Sequence, residues 1–375
     1  SSDDGGPFYD SPLTTVNLNR EIVYTFGGST INDKYEGLFG GKSTLTSVTL
    51  GEQVKTLSPY MFAGSGFTTL DLNKVETIGN HALANTPLTS LTVPGCVKTI
   101  GNNVFEGCEQ LADLTFEPST TETPLTMGFY DASGDVGPFY DAPLATLNLD
   151  REIVYTFGGS TIDDKSEGLF GNKTTLKTVT LGEQVKTLSN HMFANAAFTE
   201  LVVPGSLTLI ENDAFLNCKN LQSITFNPSP TNEVLTMGYD TYDANENLFQ
   251  DNDALTTLVL DREINQTMTG IDSDVKGLFG GMPKLTNVTL GDQAKTLLPY
   301  MFAGTGITSL DLNKVETINN SALARNAMTS LTIPGYVNTI GNNVFQGCTQ
   351  LATLTFEPSA DETPLTMGFY DASDD

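Results

Sequence analysis

Leu88 to Gln110 reads LTSLTVPGCVKTIGNNVFEGCEQ, and its apolar residues fall at Leu88, Leu91, Val93, Val97, Ile100, Val104 and Phe105. In LTSLTV, Leu91 and Val93 alternate with Ser90 and Thr92, which is the period of a strand with one face turned inward. Pro94 and Gly95 mark a turn. VKTI supplies a second short apolar edge, and NNVFEGC follows with a large ring and a small thiol. A segment this short cannot bury so many apolar groups alone. It needs a relative on each side, and the sequence supplies them.

Related segments begin at Leu13, Leu45, Phe67, Leu88, Leu111, Leu144, Leu176, Phe198, Leu221, Leu255, Leu285, Ile307, Met328 and Leu351, about fourteen coils. A longer period is nested over them. FYDSPLTTVNLNREIVYTFGGST from Phe8 returns as FYDAPLATLNLDREIVYTFGGST from Phe139, and LTSVTLGEQVKTLSPYMFAG from Leu45 returns as LTNVTLGDQAKTLLPYMFAG from Leu285. The middle long unit lacks one coil, the counterpart of those at Phe67 and Ile307. The expected organisation is a single repeat solenoid over 1–375 in three long units, approximately 8–138, 139–247 and 248–375. Each coil is expected to give one short parallel strand in a right-handed β-solenoid, with a short helical turn on the other side. In TLSPYMFAG, Ser58 suits a helix cap and Pro59 its first position. Asn80, Asn102, Asn212, Asn320 and Asn342 sit at the equivalent place, and Phe62, Phe105, Phe193, Phe215, Phe302 and Phe345 are expected to fill the core. Outward strand positions such as Ser90, Thr92, Thr178 and Thr180 are small and polar, a poor surface for a strong protein contact.

The pattern LxxLxLxxxVxxIxxxxFxxCxx resembles the BspA-like class of leucine-rich repeats and covers nearly the whole chain. The resemblance implies a leucine-rich-repeat solenoid or horseshoe. It also implies a secreted or cell-surface bacterial protein, adhesin-like, whose partner is a host extracellular protein or glycan. The chain departs from many leucine-rich repeats in lacking the Asn after LxxLxL, so no asparagine ladder is expected. It departs from its own class in its long coils.

Those coils carry the candidate site. One loop type runs from Glu117 to Pro143 (EPSTTETPLTMGFYDASGDVGPFYDAP), the other from Arg151 to Gly171 (REIVYTFGGSTIDDKSEGLFG). Loops of this length in a solenoid are either functional or self-packed. Phe129, Tyr130, Phe139, Tyr140, Asp141, Tyr155 and Phe157 are the candidate ligand-binding residues, because aromatic and acidic groups on protruding loops can hold a protein or stack on a sugar. The other reading is that these rings cover apolar surface where long coils break the regular stack. Oxygen groups lie close together at Asp131, Ser133 and Asp135 and at Asp163, Asp164 and Glu167. Neither set completes a calcium loop, so no cofactor is expected beyond a weak case for calcium.

With 45 acidic and 18 basic residues the formal net charge is -27, a field that repels phosphates and anionic membranes. No apolar run approaches the roughly 20 residues of a membrane span. The four cysteines, Cys96, Cys108, Cys218 and Cys348, have no metal-ligand spacing and read as free thiols. His81 and His191 are the two histidines, and neither has a repeated Ser or Cys partner. Nucleotide-binding and metalloprotease motifs are absent, and a glycoside hydrolase would need one particular carboxylate pair in a cleft. A non-catalytic binding protein, monomeric, is therefore the expectation, with a structural spacer or self-associating stalk as the alternative. The opening residues do not read as a signal peptide, and the numbering is expected to start after a removed leader or at an arbitrary boundary. SSDDGGPFYD matches ASGDVGPFYD from Ala132, and MGFYDASDD matches MGFYDASGD from Met127, which suits either a piece of a longer array or a protein built by duplication.

Overall fold

The computed structural model describes residues 7, 8, 10–24, 37–129, 138–157, 168–238, 248, 249, 251–266, 277–360 and 362–368, with backbone alone at Phe129 and 155–157. The chain forms two compact units, Ser1–Val185 and Lys186–Asp375. Both are stacks of parallel coils built on two ladders.

The wide ladder uses the LxxLxL strands. In the first unit Thr15–Leu18 pairs with Ser47–Leu50, and Ser90–Val93, Asp113–Phe116, Thr146–Leu149 and Thr178–Leu181 form a four-stranded sheet. In the second unit Glu200–Val203, Ser223–Phe226, Thr257–Leu260 and Asn287–Leu290 form another, and Ser330–Ile333 pairs with Thr353–Phe356. All pairings are parallel and in register, so Leu91 lies beside Leu114 and Leu114 beside Leu147. The alternation seen in the sequence decides which side is wet. In Ser90–Val93, Leu91 and Val93 are buried and Thr92 is exposed. The narrow ladder uses the second apolar edge, with Thr56–Leu57, Thr77–Ile78, Thr99–Ile100, Leu125–Phe129 and Ile153–Phe157 in one five-stranded sheet.

The expected helical turns are not helices: the described residues contain none. Ser58 to Ser65 makes a run of β-turns instead. The amide of Met61 donates to the Ser58 carbonyl at 3.1 Å, that of Ala63 to Tyr60 at 3.1 Å, and that of Ser65 to Phe62 at 3.0 Å. Tyr60 and Gly64 stand at φ 55° and 69°, which a right-handed helix forbids. Intervening amides point sideways into the next coil, Tyr60 to Asn80, Phe62 to Ala82 and Gly64 to Ala84. A helix would spend all of these along its own axis. Pro59 fits here because proline also suits the second position of a turn whose third residue has positive φ. The asparagines expected to cap reach across instead: the Asn102 amide donates to Asn80 Oδ1 at 3.0 Å, and Asn342 to Asn320 at 2.8 Å.

Phenylalanines from successive coils stack in a column. Phe8, Phe39 and Phe62 lie 5.4 and 5.5 Å apart, and Phe105, Phe139 and Phe170 lie 4.9 and 5.4 Å apart. The second unit repeats the column from Phe193 through Phe215, Phe249 and Phe279 to Phe302. Two arginines are buried as pins between coils. Arg151 donates to the carbonyls of Val97 at 2.9 Å and Thr123 at 3.3 Å, and Arg262 to those of Pro204 and Glu233 at 3.3 Å each. Burial lowers the pKa of both.

A pair of notches on the sheet face and an aromatic corner

Among the described residues twelve strands use the LxxLxL segments, not fourteen, because the coils at Phe67 and Ile307 contribute none there. Their turns are one residue shorter: LNKV from Leu72 stands where LGEQV stands from Leu50. Asn73 meets the tighter turn at φ 47°, and its amide donates to Asp71 Oδ1 at 2.9 Å. The Leu50 carbonyl then loses the main-chain donor that a regular coil would offer. The Asn73 side-chain amide replaces it at 2.8 Å. Asn313 does the same at the Ile307 coil, with Asp311 and the Leu290 carbonyl at 2.9 and 3.0 Å.

Each short coil leaves an open notch on the sheet face. The first encloses about 570 Å³ and is lined by Thr69, Asp71, Asn73, Ser90, Thr92 and Glu117, among others. The second encloses about 510 Å³ between Ser309, Asp311, Ser330, Thr332 and Glu357. In each, hydroxyls and two carboxylates share the lining with a leucine and a proline, a setting for a cationic or hydroxyl-rich group. Sequence reasoning missed these residues by treating the sheet face as uniform. The signal was present in the substitution of DLNK for the regular turn at Asp71 and Asp311.

The loop residues divide. Phe139 is completely buried in the phenylalanine column and not on a protrusion. Tyr140 beside it is 56% exposed. The Asp141 carboxylate accepts from the Gly107 amide at 2.9 Å. Beneath this corner the buried Lys173 donates to the carbonyls of Phe139 and Tyr140, the latter at 2.7 Å. Burial lowers the Lys173 pKa to about 8. Phe129 and the segment Ile153–Phe157, which includes Tyr155, form paired backbone strands. Tyr130 lies outside the described residues. Tyr24, the counterpart of Tyr155 one long unit earlier, donates its hydroxyl to the Pro59 carbonyl at 2.7 Å.

Asp131, Ser133, Asp135, Asp163, Asp164 and Glu167 also lie outside the described residues, and among the described ones no three His, Cys, Asp or Glu side chains could hold a metal. No disulfide joins the cysteines. Cys108 and Cys218 donate to the Leu83 and Phe193 carbonyls at 3.3 and 3.1 Å, and burial pushes the Cys218 thiol up to about 12. Among the described residues no helix is long and apolar enough to cross a membrane.

Parallel coils with LxxLxL strands and core rings stacked between neighbouring coils define a leucine-rich-repeat protein. The BspA type Leucine rich repeat region matches residues 29–131, 155–248 and 244–365 in six copies, and the chain belongs to that family. Similar solved structures include a leucine-rich repeat protein from Bacteroides ovatus, 18% identical over 99% of this chain and 97% of that one, with TM-score 0.47. A leucine rich cell surface protein from Faecalibacterium prausnitzii is 18% identical over 94% and 90%, with TM-score 0.34. The pneumococcal vaccine antigen PcpA is 15% identical over 95% and 90%, with TM-score 0.35. No curated protein matches.

Proposed function

We propose that the chain is a non-catalytic binding protein of the cell surface or the secreted fraction, engaging an extracellular protein or glycan of a host. The observation that carries this reading is the notch built twice, from equivalent residues, at Asp71 and Asp311. Each notch offers carboxylates and hydroxyls to a basic side chain or a sugar. Two copies on one chain multiply a weak single contact into avidity. Exposed Tyr140 is the second contact surface, and Phe139 supports it from the core.

Binding of the purified chain to immobilised matrix proteins and a glycan array tests the reading. Asp71→Ala with Asp311→Ala probes the notches, and Tyr140→Ala probes the corner. Phe139→Ala is a poor probe, because emptying a fully buried ring site costs about 3–5 kcal/mol of stability. Saturable binding lost in the double notch variant supports the notches. Binding lost only with Tyr140→Ala moves the site to the corner. No binding by any version favours the structural spacer.

A further inference from the structure

We propose that the buried guanidinium of Arg262 and the hydroxyl of Ser206 hold a small monovalent anion, of the chloride class, inside the second unit. Arg262 is 0% exposed, and its Nη atoms donate to the Pro204 and Glu233 carbonyls at 3.3 Å each. A guanidinium carries more N–H donors than two carbonyls can use. The Nε–H of Arg262 is buried and has no acceptor among the described residues. Among those residues no carboxylate forms an ion pair with this guanidinium either. A buried charge with no counter-charge is among the costliest groups a fold can carry. Arginine does not escape that cost by giving up its proton.

Ser206 stands on the turn that Arg262 touches. The Leu207 amide donates to the Pro204 carbonyl at 3.2 Å, which closes Pro204 to Leu207 as a β-turn with Ser206 at its third position. Ser206 is buried, and its Oγ also lacks a partner. Lys186 donates to the Ser206 carbonyl at 3.4 Å and brings a second positive charge to the same turn. Two unspent donors and two cations thus meet at one turn. An anion answers both needs, where a neutral acceptor would answer only the first.

The first unit shows why the hydroxyl is left over. Arg151 makes the same pair of carbonyl contacts and has the same unpartnered Nε. The place of Ser206 is taken there by Cys96, whose thiol donates to the Asn73 and Val75 carbonyls at 3.6 and 3.4 Å. Both carbonyls belong to the short coil at Phe67. The middle long unit lacks that coil, so Ser206 has no such carbonyls to meet and its donor stays available to a ligand. Burial also sets the size of the ion. A partner's carboxylate or a phosphate ester cannot reach atoms this enclosed, and the Glu233 carboxylate, which acts on Arg262 from beyond ion-pair distance, repels a multiply charged ion.

Thermal melts at one fixed ionic strength, with sodium chloride exchanged stepwise for sodium gluconate, test the proposal. Fixed ionic strength holds screening constant, and gluconate is too large for an enclosed site. The wild-type midpoint is expected to stand a few degrees higher in chloride, with a gain that saturates, because an ion that binds only the folded chain stabilises it by mass action. Ser206→Ala should shrink the gain and Arg262→Met should abolish it. Circular dichroism confirms that each variant folds, and Ser206→Ala decides alone if Arg262→Met does not. Equal wild-type midpoints in the two salts overturn the proposal and leave water as the acceptor. A gain that persists undiminished in Ser206→Ala, or at all in a folded Arg262→Met, overturns it equally.

Discussion

Lys173 shows how much one side chain does in this fold. Its ammonium is buried below the Phe139–Tyr140 corner, where it closes two carbonyls. The equivalent residues are Lys42 one long unit earlier and Met282 one later, so the position tolerates an apolar chain. Burial holds the folded pKa near 8, against 10.5 for an ordinary lysine. Between those values the unfolded chain binds the extra proton, so wild-type stability rises with pH through that window. A neutral amine keeps two N–H donors, enough for both carbonyls. Against Lys173→Met as reference, the wild type should gain up to about 3 kcal/mol between pH 7 and pH 10. Denaturant melts of both proteins at the two pH values measure this, and a constant difference between them would refute it.

At the scale of the element, the decisive feature is the pair of left-handed residues in each turn run, Tyr60 and Gly64, His81 and Asn85, Asn103 and Gly107, Ser321 and Arg325. Gly107 meets the demand without strain, and a side chain there would also crowd Asn85 Oδ1 at 2.6 Å. Arg325 stands at φ 58° with no such relief. Arg325→Gly should therefore stabilise the second unit by about 0.5–1 kcal/mol, the left-handed penalty less the entropy that glycine loses. A thermal melt decides it, and a lowered midpoint would show that the arginine stem packs for more than the backbone pays. This element also marks where the sequence stopped being legible. The strand alternation and the core phenylalanines of the regular coils, Phe62, Phe105, Phe193, Phe215 and Phe302, could be read directly, because each rests on a period. The turn run could not, because Ser58 and Pro59 signal a helix start and a β-turn alike, and only the neighbouring coil's carbonyls choose between them. The site was hidden for a related reason. A single missing residue before Val75 opened the notch, while the burial of Phe139 depended on Phe105 and Phe170 lying above and below it.

For the whole molecule, a formal charge of -27 sets carboxylates against one another on every coil, and few of the described ones have a basic partner. Compactness concentrates that repulsion, so screening should favour the folded state. The unfolding midpoint is expected to rise by several degrees from low salt to about 0.15 M, where the screening length falls to roughly 8 Å; a flat response would show that the charges are already spaced beyond mutual influence. The notches carry a consequence on a different timescale. Each depends on one short coil, and the middle long unit, which lacks that coil, has no counterpart to Asp71 or Asp311. Each coil packs only against its immediate neighbours. Gain or loss of 21 codons is therefore a heritable way to change how many notches the protein displays.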